Sequence, residues 1–227
     1  MRGRGVLLGV GGIFLGGCFL LPSGEPSRVE EVPSDLRRAA VAAPPVGDRH
    51  PYGEVERLEV GQWVRVREEG GVFTLAVVGR EAGGTWVEVV EEGTPRVVSA
   101  RLVAPGGGVK RAWYAEVPAA GRPVPVPQEI RPGAAPPARE PEELSRETGE
   151  ERHAVAGREL AARRVRVLRE DAEGRLVEEV SLWHPEVPPV YAGSEYGGLI
   201  LRRVGSRTVA ELLDFGSGAR PLLDLPR

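Results

Sequence analysis

The sequence predicts a mainly β protein built on an antiparallel sheet, and three observations predict it. Apolar and charged residues alternate with period two across two blocks, residues 57–117 and 153–220. β-branched valine fills most of the apolar positions, which suits a pleated surface. Short Gly- and Pro-containing turns punctuate the runs at close intervals, leaving little room for helices of ordinary length.

The first block reads as a meander. Gln62 to Glu68 alternates and runs into the turn Glu69-Gly70-Gly71. Val72 to Val78 returns and ends at Gly79, and Ala82-Gly83-Gly84 turns the chain again. Thr85 to Val90 follows, broken by Gly93-Thr94-Pro95. Arg96 to Val103 continues until Pro105-Gly106-Gly107-Gly108, and Val109 to Ala115 is a last short strand. In the second block Arg164 to Arg169 alternates, Asp171-Ala172-Glu173-Gly174 turns, and Arg175 to Trp183 returns. Gly198 to Val204, the turn Gly205-Ser206 and Thr208 to Phe215 complete it. Charges on alternate positions predict one wet face for each sheet. The dry face needs cover from curling, from the other block or from a ligand. Residues 158–164 also have the local propensity of a helix. Trp113-Tyr114-Ala115-Glu116-Val117-Pro118 matches Trp183-His184-Pro185-Glu186-Val187-Pro188 in four places, through duplication or through chance in a chain rich in Glu, Val and Pro. Either origin predicts one continuous sheet over residues 54–227.

Two Pro-rich stretches flank the first block. Residues 18–53 carry six prolines among Gly, Ser and charges and read as a flexible tether, with a helical turn or two around residues 35–41. Residues 118–150 separate the blocks. There Pro123-Val124-Pro125-Val126-Pro127 is expected to be extended, and Pro141-Glu142-Glu143-Leu144 to open a short acidic helix.

The N-terminal residues carry an address. Arg2 and Arg4 form a short positive region, and residues 5–17 hold no charge. As a helix that uncharged run rises about 20 Å, short of the roughly 30 Å hydrocarbon core, so residues 1–17 read as a signal peptide and not as a membrane span. Leu15-Gly16-Gly17-Cys18 resembles a bacterial lipobox. The resemblance implies cleavage before Cys18, a diacylglycerol on its thiol, N-terminal acylation and a membrane anchor in the cell envelope. The only Cys in the chain stands where a lipobox requires it. Phe19 follows it in place of Asp, which favours the outer membrane, facing the periplasm.

The second block and parts of the first resemble uncharacterised envelope proteins whose fold is like that of the lipoprotein carrier and receptor proteins LolA and LolB. The residues concerned are Val155-Ala156-Gly157, Trp183, Val187-Pro188, Tyr196-Gly197-Gly198-Leu199 and Ala210 to Gly216. In the first block they are Gly61-Gln62-Trp63-Val64, Val78-Gly79-Arg80-Glu81 and Trp86-Val87-Glu88. The resemblance implies an incomplete, strongly curved antiparallel barrel with short helices and an apolar concavity. The Pro-rich insertion and the Arg-rich strands depart from that pattern.

Chemistry is sparse. A net charge of −3 gives no footprint for nucleic acid. One Cys and three scattered His give no expected metal centre and no cofactor beyond the lipid on Cys18. His184-Pro185-Glu186 is the nearest thing to an acid–base pair. Glu91-Glu92, Glu142-Glu143 and Glu178-Glu179 project to opposite faces of a strand, so they form no shared acid–base site. The Gly216-Ser217-Gly218 and Gly106-Gly107-Gly108 runs read as loops. Trp63, Trp86 and Trp183 are read as packing residues or as the lining of an apolar-ligand concavity. The expectation is a non-enzymatic binding or carrier module for an apolar ligand or a lipoprotein. The alternative is an accessory lipoprotein that docks on a larger envelope assembly.

Overall fold

A computed structural model describes residues 43–53, 55–133, 142–171 and 173–225. Cys18, the lipobox, the 35–41 segment and most of the tether lie outside the described residues.

The fold is mainly β, a large curved antiparallel sheet that does not close. In chain order the strands are β1 (Val46–Gly47), β2 (Trp63–Glu68), β3 (Gly71–Glu81), β4 (Gly84–Glu92), β5 (Val97–Val103), β6 (Val109–Glu116) and β7 (Val126–Pro127). They continue as β8 (Ile130–Arg131), β9 (Glu142–Val155), β10 (Arg158–Glu170), β11 (Leu176–His184), β12 (Gly193–Ser194), β13 (Gly197–Val204) and β14 (Arg207–Gly216). The order across the main sheet is β7-β6-β5-β4-β3-β2-β14-β13-β11-β10-β9, with β12 paired to β13. Each block is therefore a meander. The first strand of one pairs with the last strand of the other, with Val64 opposite Phe215 and Glu68 opposite Ala210. The expected single continuous sheet is what forms. β1 and β8 make a separate parallel pair.

The turn residues act where the sequence places them. Glu69-Gly70, Ala82-Gly83 and Gly205-Ser206 each close a two-residue hairpin. Ala156 and Gly157 both have positive φ, as the tight turn between β9 and β10 requires. β9 is the longer of the two edge strands of the sheet, and its charges guard that edge against further strand addition.

Several expectations need correction. Glu142 to Leu144 opens no helix: β9 starts at Glu142, opposite Glu170. A few isolated helical residues gain little, whereas a strand joins an existing ladder. Residues 158–164 are likewise strand, paired on one side with β9 and on the other with β11, so ladder pairing overrides local propensity. The second block accordingly begins at residue 142, not 153. The tether also ends earlier than residue 53. Val46 is buried and its N–H donates to the carbonyl of Glu129, while His50 is buried and bonded through its N–H to the Gly107 carbonyl. Among the described residues the only helix is a 3-10 turn at Val55–Arg57. Within Pro123 to Pro127, Val126 and Pro127 form the short edge strand β7 against Tyr114 and Trp113. The shared hexapeptide falls on β6 and β11, which are not equivalent strands of their meanders.

The largest correction concerns the wet face. In the middle of the first block both faces are dry, and Thr85 to Val90 of β4 are all buried. One face, with Val64, Leu75, Val77 and Val87, is covered by Val55 and Leu58 of the segment before β2 and by Val187 and Val190 of the segment after β11. The other face, with Ala76, Val78, Trp86, Val98 and Ala100, is covered by Leu223 from the segment that follows β14. Each large side chain so buried stabilises the fold by about 2 kcal/mol relative to exposure.

Candidate functional site

The described surface is concave around the hairpin formed by β12 and β13. β11 ends at His184, and the chain turns back through Pro185 to Val190, with the Val187 N–H donating to the His184 carbonyl at 3.2 Å. The hairpin is pressed against that turn. A Cβ on Gly197 would lie 2.1 Å from the His184 carbonyl oxygen, and one on Gly198 would lie 2.5 Å from that of Val187. Gly197 also holds φ +107°. This close approach is what the Tyr196-Gly197-Gly198 run provides. It sets the Tyr196 ring beside the Arg163 guanidinium, 5.4 Å from the ring centre. On the opposite side Gly53 touches the same turn. Its N–H donates to the Tyr191 carbonyl at 3.1 Å, and a Cβ there would strike the Pro189 carbonyl.

Three clefts surround this ridge, and Glu195 borders all of them. The largest, about 510 Å³, lies between Tyr52, Arg57, Pro189 and Gly193. The second, about 410 Å³, has Val165, Val167 and Ser181 as its floor, Arg146 and Arg169 at its rim and Trp183 at one wall. The third, about 280 Å³, lies between Arg163, Trp183, Pro185 and Tyr196. The floor of the second cleft records a change of face along β10. Leu160 and Ala162 are buried, then the exposed Arg164 intervenes, then Val165 and Val167 are buried. A long twisted strand thus faces the core with one side at its start and the cleft with the other side further on.

Beneath the ridge lies an aromatic and polar cluster. Tyr52 packs on Tyr191 at 5.5 Å and meets His50 edge to face at 5.4 Å. Burial, with the nearby Glu68 carboxylate, pushes the Tyr191 phenol well up. Burial and then the Arg101 charge push His50 down to about 4. Neither ring nitrogen of His50 has a hydrogen-bond partner.

The predicted residues separate. Of the three tryptophans, Trp183 alone stands at these clefts. Trp63 and Trp86 pack on the face covered by the segment after β14. The Trp86 indole N–H donates to Glu81 Oε2 at 3.0 Å, and the Arg111 guanidinium lies 5.2 Å over its ring. The three do not line one concavity. His184 and Glu186 do not pair through their side chains: the Glu186 backbone N–H donates to His184 Nδ1, and the Glu186 carboxylate accepts from Arg158 at 2.6 Å. Glu178 bonds Arg166 while Glu179 pairs with Arg202, on opposite faces as expected.

Sequence reasoning missed Glu88. Its side chain is almost wholly enclosed, and its carboxylate accepts the backbone N–H groups of Leu222 and Leu223 at 2.8 to 3.0 Å. Burial pushes this carboxyl up, and the two N–H groups oppose that shift. The signal was a single charge inside Thr85-Trp86-Val87-Glu88-Val89-Val90, on the face that carries Trp86 and Val90. His50 gave no comparable signal, because its burial depends on a segment that reads as tether.

No protein-family model matches the chain, and neither do any curated protein and any solved structure. The likeness to LolA and LolB remains a reading of the sequence.

Proposed function

We propose that this protein is a lipid-anchored component of the bacterial cell envelope, held at the outer membrane through Cys18, that works without catalysis by docking on a partner protein of a larger assembly. The anchor rests on the lipobox resemblance at Leu15 to Cys18. The observation that carries the docking role is the fate of the sheet's apolar faces. A carrier needs an empty concavity, and here Val55, Leu58, Val187 and Val190 occupy it, each nearly inaccessible. The concavities that remain are open at the surface and rimmed by Tyr52, Trp183, Tyr196 and arginines. Those residue types dominate the energetics of protein interfaces. Of the two binding roles the sequence allows, docking is the one this interior supports.

The test has two arms, both on the full-length protein. Native mass spectrometry of a Cys18→Ser form, after gentle extraction, is expected to give the bare polypeptide mass. A stoichiometric non-covalent lipid would overturn the docking role in favour of carriage. A photo-crosslinking residue at Glu195, in the lipidated protein within its own envelope, is expected to give a discrete protein adduct that the same probe at Glu173 does not. Identical adduct patterns from the two positions would remove the ridge as the docking surface.

A further inference from the structure

The edge strand β9 pairs with β10 on one side and, among the described residues, with nothing on the other. Val155 and Arg158 close the two-residue turn between them, with Ala156 and Gly157 both at positive φ. In such a turn the flanking residues exchange both hydrogen bonds, and the pattern alternates along the strand from there. The ladder keeps one register from that turn to Ser145, where the bulge at Leu144 ends it. Over that length the N–H and C=O groups of Arg152, Glu150, Thr148 and Arg146 therefore point away from β10, to the open edge. Residues 143–148, 150 and 152 are exposed, so the edge is accessible. Arg146 reaches Glu143 with two hydrogen bonds of 2.9 Å, both side chains being exposed. Glu150 takes part in no ion pair among the described residues.

We infer that the β9 edge docks a second copy of this chain, the two β9 strands pairing antiparallel about a two-fold axis through Thr148. In that register Thr148 faces its own mate, and Arg146 of each copy faces Glu150 of the other. Ser145 faces Glu151 and Glu147 faces Gly149, so no like charges stand opposite. The adjacent symmetric registers fail this test. A slip of two residues one way sets Glu147 opposite itself, and the other way sets Arg146 opposite Arg152 and Glu147 opposite Glu151. A slip of one residue faces outward-pointing backbone groups with inward-pointing ones. The charges that keep a foreign strand off this edge are thus arranged to admit one strand, their own copy. Arg146 loses little by turning to the second copy, because its pair with Glu143 is screened by water. Pairing over residues 145–151 is shorter than a standard interface, so the dimer is expected to be weak in solution. The axis runs perpendicular to the sheet. The clefts that Arg146 and Glu150 border therefore open on the same face in both copies.

The test follows the full-length Cys18→Ser protein by analytical ultracentrifugation, from about 0.01 to about 1 mM, where a weak dimer populates. A monomer–dimer equilibrium is expected. Arg146→Glu and Glu150→Arg each set like charges opposite at two symmetric places, and each is expected to weaken the dimer about tenfold or more. The double variant exchanges the two charges and is expected to restore the affinity of the unchanged protein. Thr148→Cys then supplies the only thiol, and its mate lies about 5.5 Å away between Cα atoms, within disulfide reach. Mild oxidation is expected to trap that variant as a covalent dimer much faster than Glu173→Cys, whose thiol sits on the exposed β10–β11 loop. A protein that stays monomeric throughout, a double variant no tighter than the single ones, or equal trapping at 148 and 173 would overturn the proposal. If a charge variant fails to fold, the disulfide comparison alone decides. These readouts follow the protein's own mass and no foreign adduct, so this edge and the docking role of the ridge fail independently.

Discussion

The two halves of the sheet are written in the same alternating script and end in different environments. In the first block β4 and the middle of β3 are dry on both faces, covered by Tyr52, Val55, Leu58 and the segment at 187–192 on one side and on the other by the strap, the irregular segment 217–225 that follows β14. In the second block the long hairpin of β9 and β10 stays largely wet. Its buried Val165 and Val167 lie under arginine side chains and one loop instead of a packed layer. The difference teaches that period-two alternation states which residues can face a core, while irregular segments far away in sequence decide which of them do. The clefts around Glu195 border the half whose face is only partly roofed.

Core truncation is the strongest way to break this comparison. Leu75 is fully enclosed within the first block, and Leu75→Ala is expected to lower stability by about 3 kcal/mol through lost transfer energy and a residual cavity. Val165→Ala removes less side chain from a site with a loose roof that can settle, and a loss on the order of 1 kcal/mol is expected. Urea unfolding of both variants measures this. Equal losses would show that the roof over Val165 is as well packed as the core.

Acid tests the cover of the first block. His50 sits at about 4 in the folded protein, against an ordinary value of 6.5, because burial and the Arg101 charge oppose its protonation. Between those two values the unfolded chain binds a proton that the folded protein refuses. Stability is therefore expected to fall as pH drops from 6.5 to 4, by about 3 kcal/mol in all, and this contribution levels off below 4. Tyr52 and Arg101 face the ring, and neither accepts its proton. His50→Leu removes two unpartnered nitrogens along with the titration. It is expected to flatten that limb and to raise stability at pH 5. An unchanged acid limb in His50→Leu would place the sensitivity elsewhere.

Glu88 sharpens the comparison from the other face. Glu88→Gln keeps the shape but presents one amide N–H₂ to backbone N–H groups that need an acceptor. The expected loss is about 1 to 2 kcal/mol, with faster amide exchange confined to the strap. Exchange that spreads through β4 and β5 would mean that the strap is an integral layer of the fold.

The legible part of this molecule follows the same division. The strands, the two-residue turns and the continuity of the sheet could be read from alternation and from Gly placement, because both act within a few residues. The ends of the Pro-rich segments could not. Val46 and His50 are ordered by Glu129 and Gly107, partners that local patterning does not reveal. The helical propensity of residues 158–164 misled for the related reason that two neighbouring strands outweigh it. At the clefts, Trp183 was legible as a large aromatic at a strand end. Arg163, Tyr52 and Glu195 were not, because their meeting depends on how β10 twists and where the 185–196 segment crosses. Glu88 was legible in principle: a lone carboxylate on an apolar face requires donors, and the strap supplies them.

The smallest expected effect concerns the charges that give the second block its appearance. Arg166 on β10 reaches Glu147 on β9 at 3.4 Å and Glu178 on β11 at 2.9 Å, spanning three strands. All three side chains are widely exposed, so water and salt screen their attraction, and holding long side chains in place offsets much of it. What joins β9 to β10 is the backbone ladder, which runs from the turn at Ala156-Gly157 to Glu142 with one bulge at Leu144. Arg166→Ala is therefore expected to leave the urea midpoint unchanged at both low and high salt. A clear drop that vanishes at high salt would mean that the wet half is held by its charges. The contrast between a packed half and a ladder-held half would then have to be redrawn as one between packing and ion pairing.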